Sequence, residues 1–348
     1  MATPSPGLGG SERLKLHFDL PILAIESSCD ETSAAVLHQG KILSNVVTSQ
    51  VALHQKWGGV VPEAAARAHV ESILPVISEA LESAMLDFGE LGAVAVTNRP
   101  GLVGALSVGV TAAKAIAFAR GIPYIGIHHL EGHLMSPLSV QAELPFPHTC
   151  LIVSGGHTEL VEVLDYGKYR IVGQTRDDAA GEAFDKGARV MGLGYPGGYA
   201  IQTAAVSGDP HRYHLPKGLT GDTIDFSFSG LKTAVLRLVQ TEGSTLSVPD
   251  AAASLQETIV SVLTERALRS CHLLSSMALT LVGGVAANVA LRKRLQQECD
   301  REGIQFLTPP IELCTDNAAM IGLAASVRLA RGESDDFNLD CFANAELI

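Results

Sequence analysis

Aromatic side chains are scarce in this chain, which has one Trp, six Tyr and ten Phe among 348 residues. A core with so few rings must be filled by Ala, Val, Ile and Leu, which suits α/β layers with buried, branched strands. Cysteine is thin as well. Cys29, Cys150, Cys271, Cys299, Cys314 and Cys341 form no C-x-x-C pair, which argues against a zinc ribbon and for free thiols in a reducing compartment. No apolar run reaches the length of a bilayer span, so no membrane segment is expected. Residues 1–20 lack the apolar stretch of a secretory signal and the arginines of a transit peptide. They are expected to form a flexible tail, and the protein to be cytoplasmic. Positive charge is short too. With 25 Lys and Arg against 37 Asp and Glu the formal charge is −12, the wrong sign for a generic nucleic-acid binder.

Glycine, by contrast, is plentiful at 34 residues, which implies many tight turns and close backbone approaches. The length accommodates two cores. Apolar stretches at 22–25, 34–37 and 42–47, separated by a polar turn and by Gln39-Gly40, read as three antiparallel strands. Helical spacing follows over 69–84, a short buried strand at 93–96, an Ala-rich helix over 107–120 and a strand at 122–127. The pattern then restarts: 150–153, a polar turn, 160–164, Tyr166-Gly167 and 169–173. A helix over 251–275, a strand at 278–282, a helix from Asn288, a strand at 305–307 and a last helix after Asp316 complete the second set. The repeat predicts an α/β fold of two duplicated lobes around a central cleft, the layout of actin-like and hexokinase-like (ASKHA) ATPases. The lobes are placed at 21–134 and 135–331, with the Pro-rich stretch around Pro137, Pro145 and Pro147 between them and a C-terminal tail over 332–348. The last helix has the option of packing back on the first lobe.

The segment from His128 to His133 concentrates the chemistry. His129 and His133 stand four apart, so on a helix both imidazoles share one face and can hold a divalent metal. A metalloprotease needs its glutamate directly after the first histidine. Here Leu130 stands there, and Glu131 is turned a further ~100° around the helix, which excludes that reading. Asp316, before a helix of small residues, suits a third ligand or a helix cap equally. The Gly155-Gly156 turn after Ser154 would let backbone N–H groups meet phosphate or carboxylate oxygens. The segment 283–288 follows a strand and opens a helix, a place for an adenosine or for a plain turn. Asp185, in a charged stretch with packing residues Ala183 and Phe184, is a candidate for a ribose hydroxyl, and the glycines of 192–198 for wrapping a flat or phosphorylated ligand. Cys29 is a poor nucleophile because Asp30 and Glu31 beside it raise a thiol's pKa.

Taken together, the runs at 26–32, 129–133, 153–158, 181–186, 195–198, 283–288 and 315–317 resemble the TsaD family in content and order, over residues 22 to about 331. The run 225–233 is similar to the bacterial and mitochondrial branch. The resemblance implies transfer of a threonylcarbamoyl group from threonylcarbamoyl-adenylate to N6 of the adenosine beside the anticodon, in tRNAs that read ANN codons. It implies a metal on His129, His133 and Asp316, and an adenylate site lined by Ile152, Val153, Ser154, Gly155, Gly156, Asp185, Gly198 and Asn288. One divalent cation per subunit is expected; the donor set suits iron and zinc alike, with iron placed first. Besides tRNA, the resemblance implies a paralogous TsaB-like subunit and a TsaE-like ATPase as partners where the chain follows the bacterial members, and neither of these two where it follows the mitochondrial ones. A small-molecule kinase or ATPase of the same fold and a non-catalytic scaffold paralogue are the alternatives. The kinase would not need the two histidines and Asp316, and the scaffold should lack them. The strongest basic run, Arg292-Lys293-Arg294, is either a tRNA contact or an ordinary solvated helix face, and is thin for gripping an anticodon stem.

Overall fold

The computed structural model describes residues 16–57 and 59–347. Most of the expected N-terminal tail lies outside the described residues. The first lobe runs β1 (Ile22–Glu26), β2 (Glu31–His38), β3 (Lys41–Ser49), α1 (Val51–His54), α2 (Pro62–Ala84), β4 (Ala93–Arg99), α3 (Val103–Arg120), β5 (Tyr124–His128) and α4 (His129–Met135). The second runs β6 (His148–Val153), β7 (Thr158–Asp165), β8 (Lys168–Gln174), α5 (Ala180–Val190), α6 (Gly197–Ala205), α7 (Ser229–Glu242), α8 (Val248–Leu274), β9 (Ala278–Val282), α9 (Val289–Glu302), β10 (Gln305–Leu307) and α10 (Ala318–Ala330).

The two sheets have the orders β3-β2-β1-β4-β5 and β10-β9-β6-β7-β8. Read from opposite ends, they are one topology used twice. β1 pairs antiparallel with β2 and parallel with β4, and β6 pairs in the same way with β7 and β9. The duplicated α/β expectation therefore holds at the level of strand pairing. The central strands β1 and β6 are buried on both faces, which is why they read as largely apolar runs rather than as alternating ones.

Three apolar clusters fill the layers. One face of the first sheet packs against α2 and α3 through Leu23, Ile25, Val94 and Val96. The outer core of the second sheet gathers Leu151, Leu160, Phe184, Phe226, Ile259, Leu279 and Leu291. The central cluster lies between the sheets and takes in Ala24, Ile127, Ile152, Val163 and Val282 with α4 and α10. Although α10 comes last, it packs on β1, β2 and α4. Its first N–H groups are received by first-lobe side chains, Ala318 N–H by Ser33 Oγ at 2.9 Å and Ala319 N–H by Asn45 Oδ1 at 3.2 Å. A Cβ on Gly322 would stand 2.1 Å from Leu37 Cδ1, so glycine is what lets this helix lie flat on the sheet.

Two helices start earlier than their apolar spacing indicates. α2 begins seven residues before position 69, because Pro62 is tolerated in a first turn and Glu63 to Ala66 are good helix formers. α8 starts at Val248, capped by the Ser247 side chain. Part of 192–198, read as a glycine loop, opens α6, and α7 was not anticipated. Contrary to the expectation that no apolar run reaches span length, α3 is the one described helix long and apolar enough to cross a membrane by length and composition, with Lys114 inside it. Lys114 Nζ donates to the carbonyl oxygens of Phe337 and Leu339, and the helix packs on β4 and α2.

Candidate functional site

The cleft is built where strands end. β5 runs into α4, and the His128 side chain accepts the Leu130 N–H to start the helix. The four-residue spacing then delivers His129 and His133 to one side of it, with ring centroids 4.8 Å apart. Glu131 points elsewhere: its carboxylate accepts from Tyr169 Oη at 3.1 Å and from Arg328 at 3.3 Å, so it takes no part in the histidine face.

Asp316 comes from the other end of the chain. Its Oδ1 lies 3.2 Å from His133 Nε2 and 3.4 Å from His129 Nε2. The choice between ligand and cap is decided by its neighbour: the Asn317 side chain accepts the Met320 N–H and so caps α10, leaving Asp316 to face the imidazoles. Candidate ligand atoms of the three residues lie within 4.8 Å of one another.

Behind His129 stands Glu26, the last residue of β1 and fully buried. Its Oε2 lies 3.0 Å from His129 Nδ1 and also accepts from Thr97 Oγ1 at 2.6 Å, while Oε1 accepts the Ser28 N–H. Ser28 Oγ is 3.2 Å from the same imidazole nitrogen. Burial works against a charged His129, but the carboxylates of Asp316 and Glu26 outweigh it and hold its pKa well above the usual value. Burial similarly opposes charge on Asp316, and the two imidazoles nonetheless drive its pKa well below the carboxylate range. Two imidazoles and a carboxylate, with a second carboxylate fixing one ring, fit a divalent cation. His133 has no such backing: its Nδ1 is buried with no hydrogen-bond partner. The sequence signal for Glu26 is a carboxylate that ends an otherwise apolar strand.

The turn after β6 lies at the same end of the second sheet. Ile152 and Val153 are fully buried beneath it. Ser154 N–H donates to His157 O at 2.8 Å, and Ser154 Oγ accepts from His157 N–H at 3.1 Å, which closes the turn. Gly155 and Gly156 are exposed, with nothing within 4 Å of where a Cβ would stand. Gly181, at the start of α5, packs under them: a Cβ there would meet Ser154 O at 2.6 Å and Gly155 Cα at 2.8 Å.

The remaining predicted contacts are partly committed to the scaffold. Asp185 Oδ1 accepts the Gly197 N–H at 2.7 Å, and burial raises this carboxyl's pKa. The Asn288 side chain is buried; Oδ1 accepts the Leu291 N–H at 3.0 Å and caps α9, while Nδ2 donates to Gln256 Oε1 at 2.9 Å. Gly198 has open space around it. Burial pushes the Tyr195 hydroxyl up to about 12, with Asp30, Asp185, Glu31 and Cys29 adding to it. Glu31 is pushed up to about 9 by burial, Asp316 and Asp30. The Cys29 thiol is raised strongly by burial and then by Asp30 and Asp316, which removes it as a nucleophile. All six cysteines are free.

The basic run is mostly spent inside the fold. Arg292 donates to Pro309 O at 2.7 Å and to Ala286 O, and Arg294 pairs with Glu257 at 3.0 Å.

Relatives agree with this layout. The family model described as "TsaD: tRNA N6-adenosine threonylcarbamoyltransferase" matches residues 41–323. A tRNA N6-adenosine threonylcarbamoyltransferase of Desulfitobacterium hafniense (strain Y51) is 49% identical over 334 residues, covering 94% of this chain and 98% of that protein. One of Nostoc punctiforme is 50% identical over 327 residues, covering 91% and 94%. Among solved structures, T. kodakarensis HypF superposes with a TM-score of 0.62 at 12% identity over 91% of this chain and 49% of its own length. The ADPNP-bound activator of the 2-hydroxyisocaproyl-CoA dehydratase from Clostridium difficile does so with a TM-score of 0.53 at 12% identity, covering 90% and 96%. At such identities these two structures speak for the shared two-lobe fold alone. The sequence matches run through both sheets and both histidines of α4, and the chain belongs to the TsaD family of tRNA N6-adenosine threonylcarbamoyltransferases.

Proposed function

We propose that this transferase takes the threonylcarbamoyl group from an adenylate donor, in the cleft between the sheets, with a divalent cation held by His129, His133 and Asp316. The convergence of those three side chains, with Glu26 behind His129 and Asn317 freeing Asp316, carries the reading. When bound, the cation would supply Lewis acidity toward donor oxygens and hold the carbamoyl in place. The exposed Gly155-Gly156 backbone suits the phosphate of AMP, which leaves with the electron pair of the carbon–oxygen bond as N6 bonds to the carbonyl carbon and gives up its proton to solvent or to the departing phosphate. With Ile152 and Val153 as an apolar floor, Asp185, Gly198 and Asn288 would wall the adenosine. Cys29 is unfit as a nucleophile, which favours direct transfer without a covalent enzyme intermediate. The donor set takes iron or zinc, and iron is proposed first.

The tRNA grip is proposed to come in large part from partners, a paralogous TsaB-like subunit and a TsaE-like ATPase. The charge of −12 and the internal use of Arg292, Arg294 and Lys114 support this. The location is proposed as cytoplasmic. The test is reconstitution of purified chain, tRNA and adenylate donor at physiological salt, with and without the two partners, read by mass spectrometry of tRNA nucleosides. Multiple turnovers by the chain alone would overturn the partner requirement. Wild-type modification by His129→Ala would overturn the cation site.

A further inference from the structure

The polar loop that joins β1 to β2 is held by three successive backbone carbonyls, each taken by a different element. Leu102 N–H, at the start of α3, donates to Ser28 O at 2.8 Å. His69 Nε2, from α2, lies 3.0 Å from Cys29 O. Gln50 N–H, at the start of α1, donates to Asp30 O at 2.9 Å. Two of these donors are backbone groups that almost any residue provides. Only the middle one is a side chain, so only there does the clamp depend on residue identity.

The tautomer of His69 follows from its partners. A carbonyl oxygen can only accept, so Nε2 carries the proton. Nδ1 must then accept, and it receives the Thr32 hydroxyl at 2.7 Å. His69 is fully buried, and burial lowers its pKa, in keeping with a neutral ring that uses both nitrogens. One side chain thus grips both ends of the 29–32 segment. The segment and the residue before it are set against the proposed cation site: Ser28 Oγ lies 3.2 Å from His129 Nδ1, and Asp316 acts electrostatically on both Cys29 and Glu31. The other side of α2 leaves Val70 and Leu74 about two-thirds exposed, so His69 faces inward beneath a surface-lying helix.

We infer that His69 is a positioning residue for the transfer, fixing the 27–32 loop so that Glu26 and Ser28 present His129 correctly. The inference rests on the cation-site reading, and its test separates the two. His69→Leu keeps bulk and removes both hydrogen bonds. His69→Gln returns an N–H donor at the reach of Nε2, whereas the amide of His69→Asn extends only as far as Nδ1. In the full chain with its partners, His69→Leu is expected to speed amide exchange over 27–32 and to weaken Zn2+ binding roughly tenfold in chelator competition. Turnover at saturating donor should fall by about the same factor, with His69→Gln recovering most of each loss and His69→Asn little. Wild-type exchange and Zn2+ affinity in His69→Leu would overturn the inference. Where His69→Leu does not fold, equal behaviour of the Gln and Asn variants would overturn it. His129→Ala serves as the control: undiminished Zn2+ affinity there would sink the cation site itself, independently of His69.

Discussion

Glu26 Oε2 stands 3.0 Å from His129 Nδ1, which fixes the imidazole so that its other nitrogen, Nε2, faces Asp316. The contact joins the end of the first strand to the start of α4, 103 residues later.

Replacing Glu26 by Gln removes the carboxylate behind the ring while keeping its shape. Supporting partners of this kind are worth roughly 10–100-fold in metal affinity or activity. Glu26→Gln is expected to lose cation affinity in chelator competition and tRNA modification in parallel. Unchanged affinity would mean that Glu26 serves only Thr97 and Ser28.

Gly181→Ala tests the turn over β6. The added Cβ would meet backbone atoms of Ser154 and Gly155, which cannot swing aside as a side chain can. Overpacking of this sort costs about 1–3 kcal/mol. The strain falls on the turn proposed to meet the donor phosphate, so donor KM should rise well beyond any change in tRNA KM. A variant that loses only thermal stability would detach this turn from the donor site.

Asn288→Ala removes the cap of α9 as well as the proposed adenosine contact. Loss of such a cap costs about 1 kcal/mol, so the melting temperature should drop. Asn288→Asp keeps the Oδ1 acceptor for Leu291 N–H but loses the donor to Gln256. If donor affinity falls in both variants while only the Ala variant is destabilised, the two roles are separate. Wild-type donor affinity in the Ala variant would leave Asn288 purely structural.

His148 supplies an acid sensitivity outside the cleft. Burial pushes its pKa down to about 4; Nδ1 lies 2.6 Å from Pro145 O, and Nε2 is buried without a partner. The unfolded chain binds this proton near pH 6.5. Its neutral burial therefore costs nothing above that pH, and stability is lost as pH falls from 6.5 toward 4. The shift corresponds to about 3 kcal/mol at the acid end. His148→Phe should flatten that part of the stability–pH curve in chemical denaturation; an unaltered slope would place the sensitivity elsewhere.

What could be read from the sequence was whatever is local or repeated. The spacing of His129 and His133 gave their common face because a helix of seven residues is enough to set it. The repeat gave the antiparallel hairpin set of each lobe, since each lobe writes it out in order, whereas the parallel pairings of β1 with β4 and β6 with β9 join strands far apart in the chain. Contacts across the chain were not legible in the same way. Nothing near Asp316 says whether it or Asn317 caps α10, and the answer depends on imidazoles 183 and 187 residues away, His133 and His129. Glu26 and His69 acquire roles only through partners on other elements. The starts of α2 and α8 were missed because Pro62 and Pro249 look like breakers until they are placed in a first turn.

The placement of α10 on the first sheet sets an order on biosynthesis. A growing chain exposes both imidazoles of α4 long before the ribosome reaches Asp316, which follows His133 by 183 residues. Until then the first sheet lacks the helix that covers β1 and β2, and the site lacks its carboxylate. The proposed cation site is therefore complete only at the end of translation, and a product shortened ahead of Ala318 would lose the lid of one core together with the α10 helix that anchors Asp316.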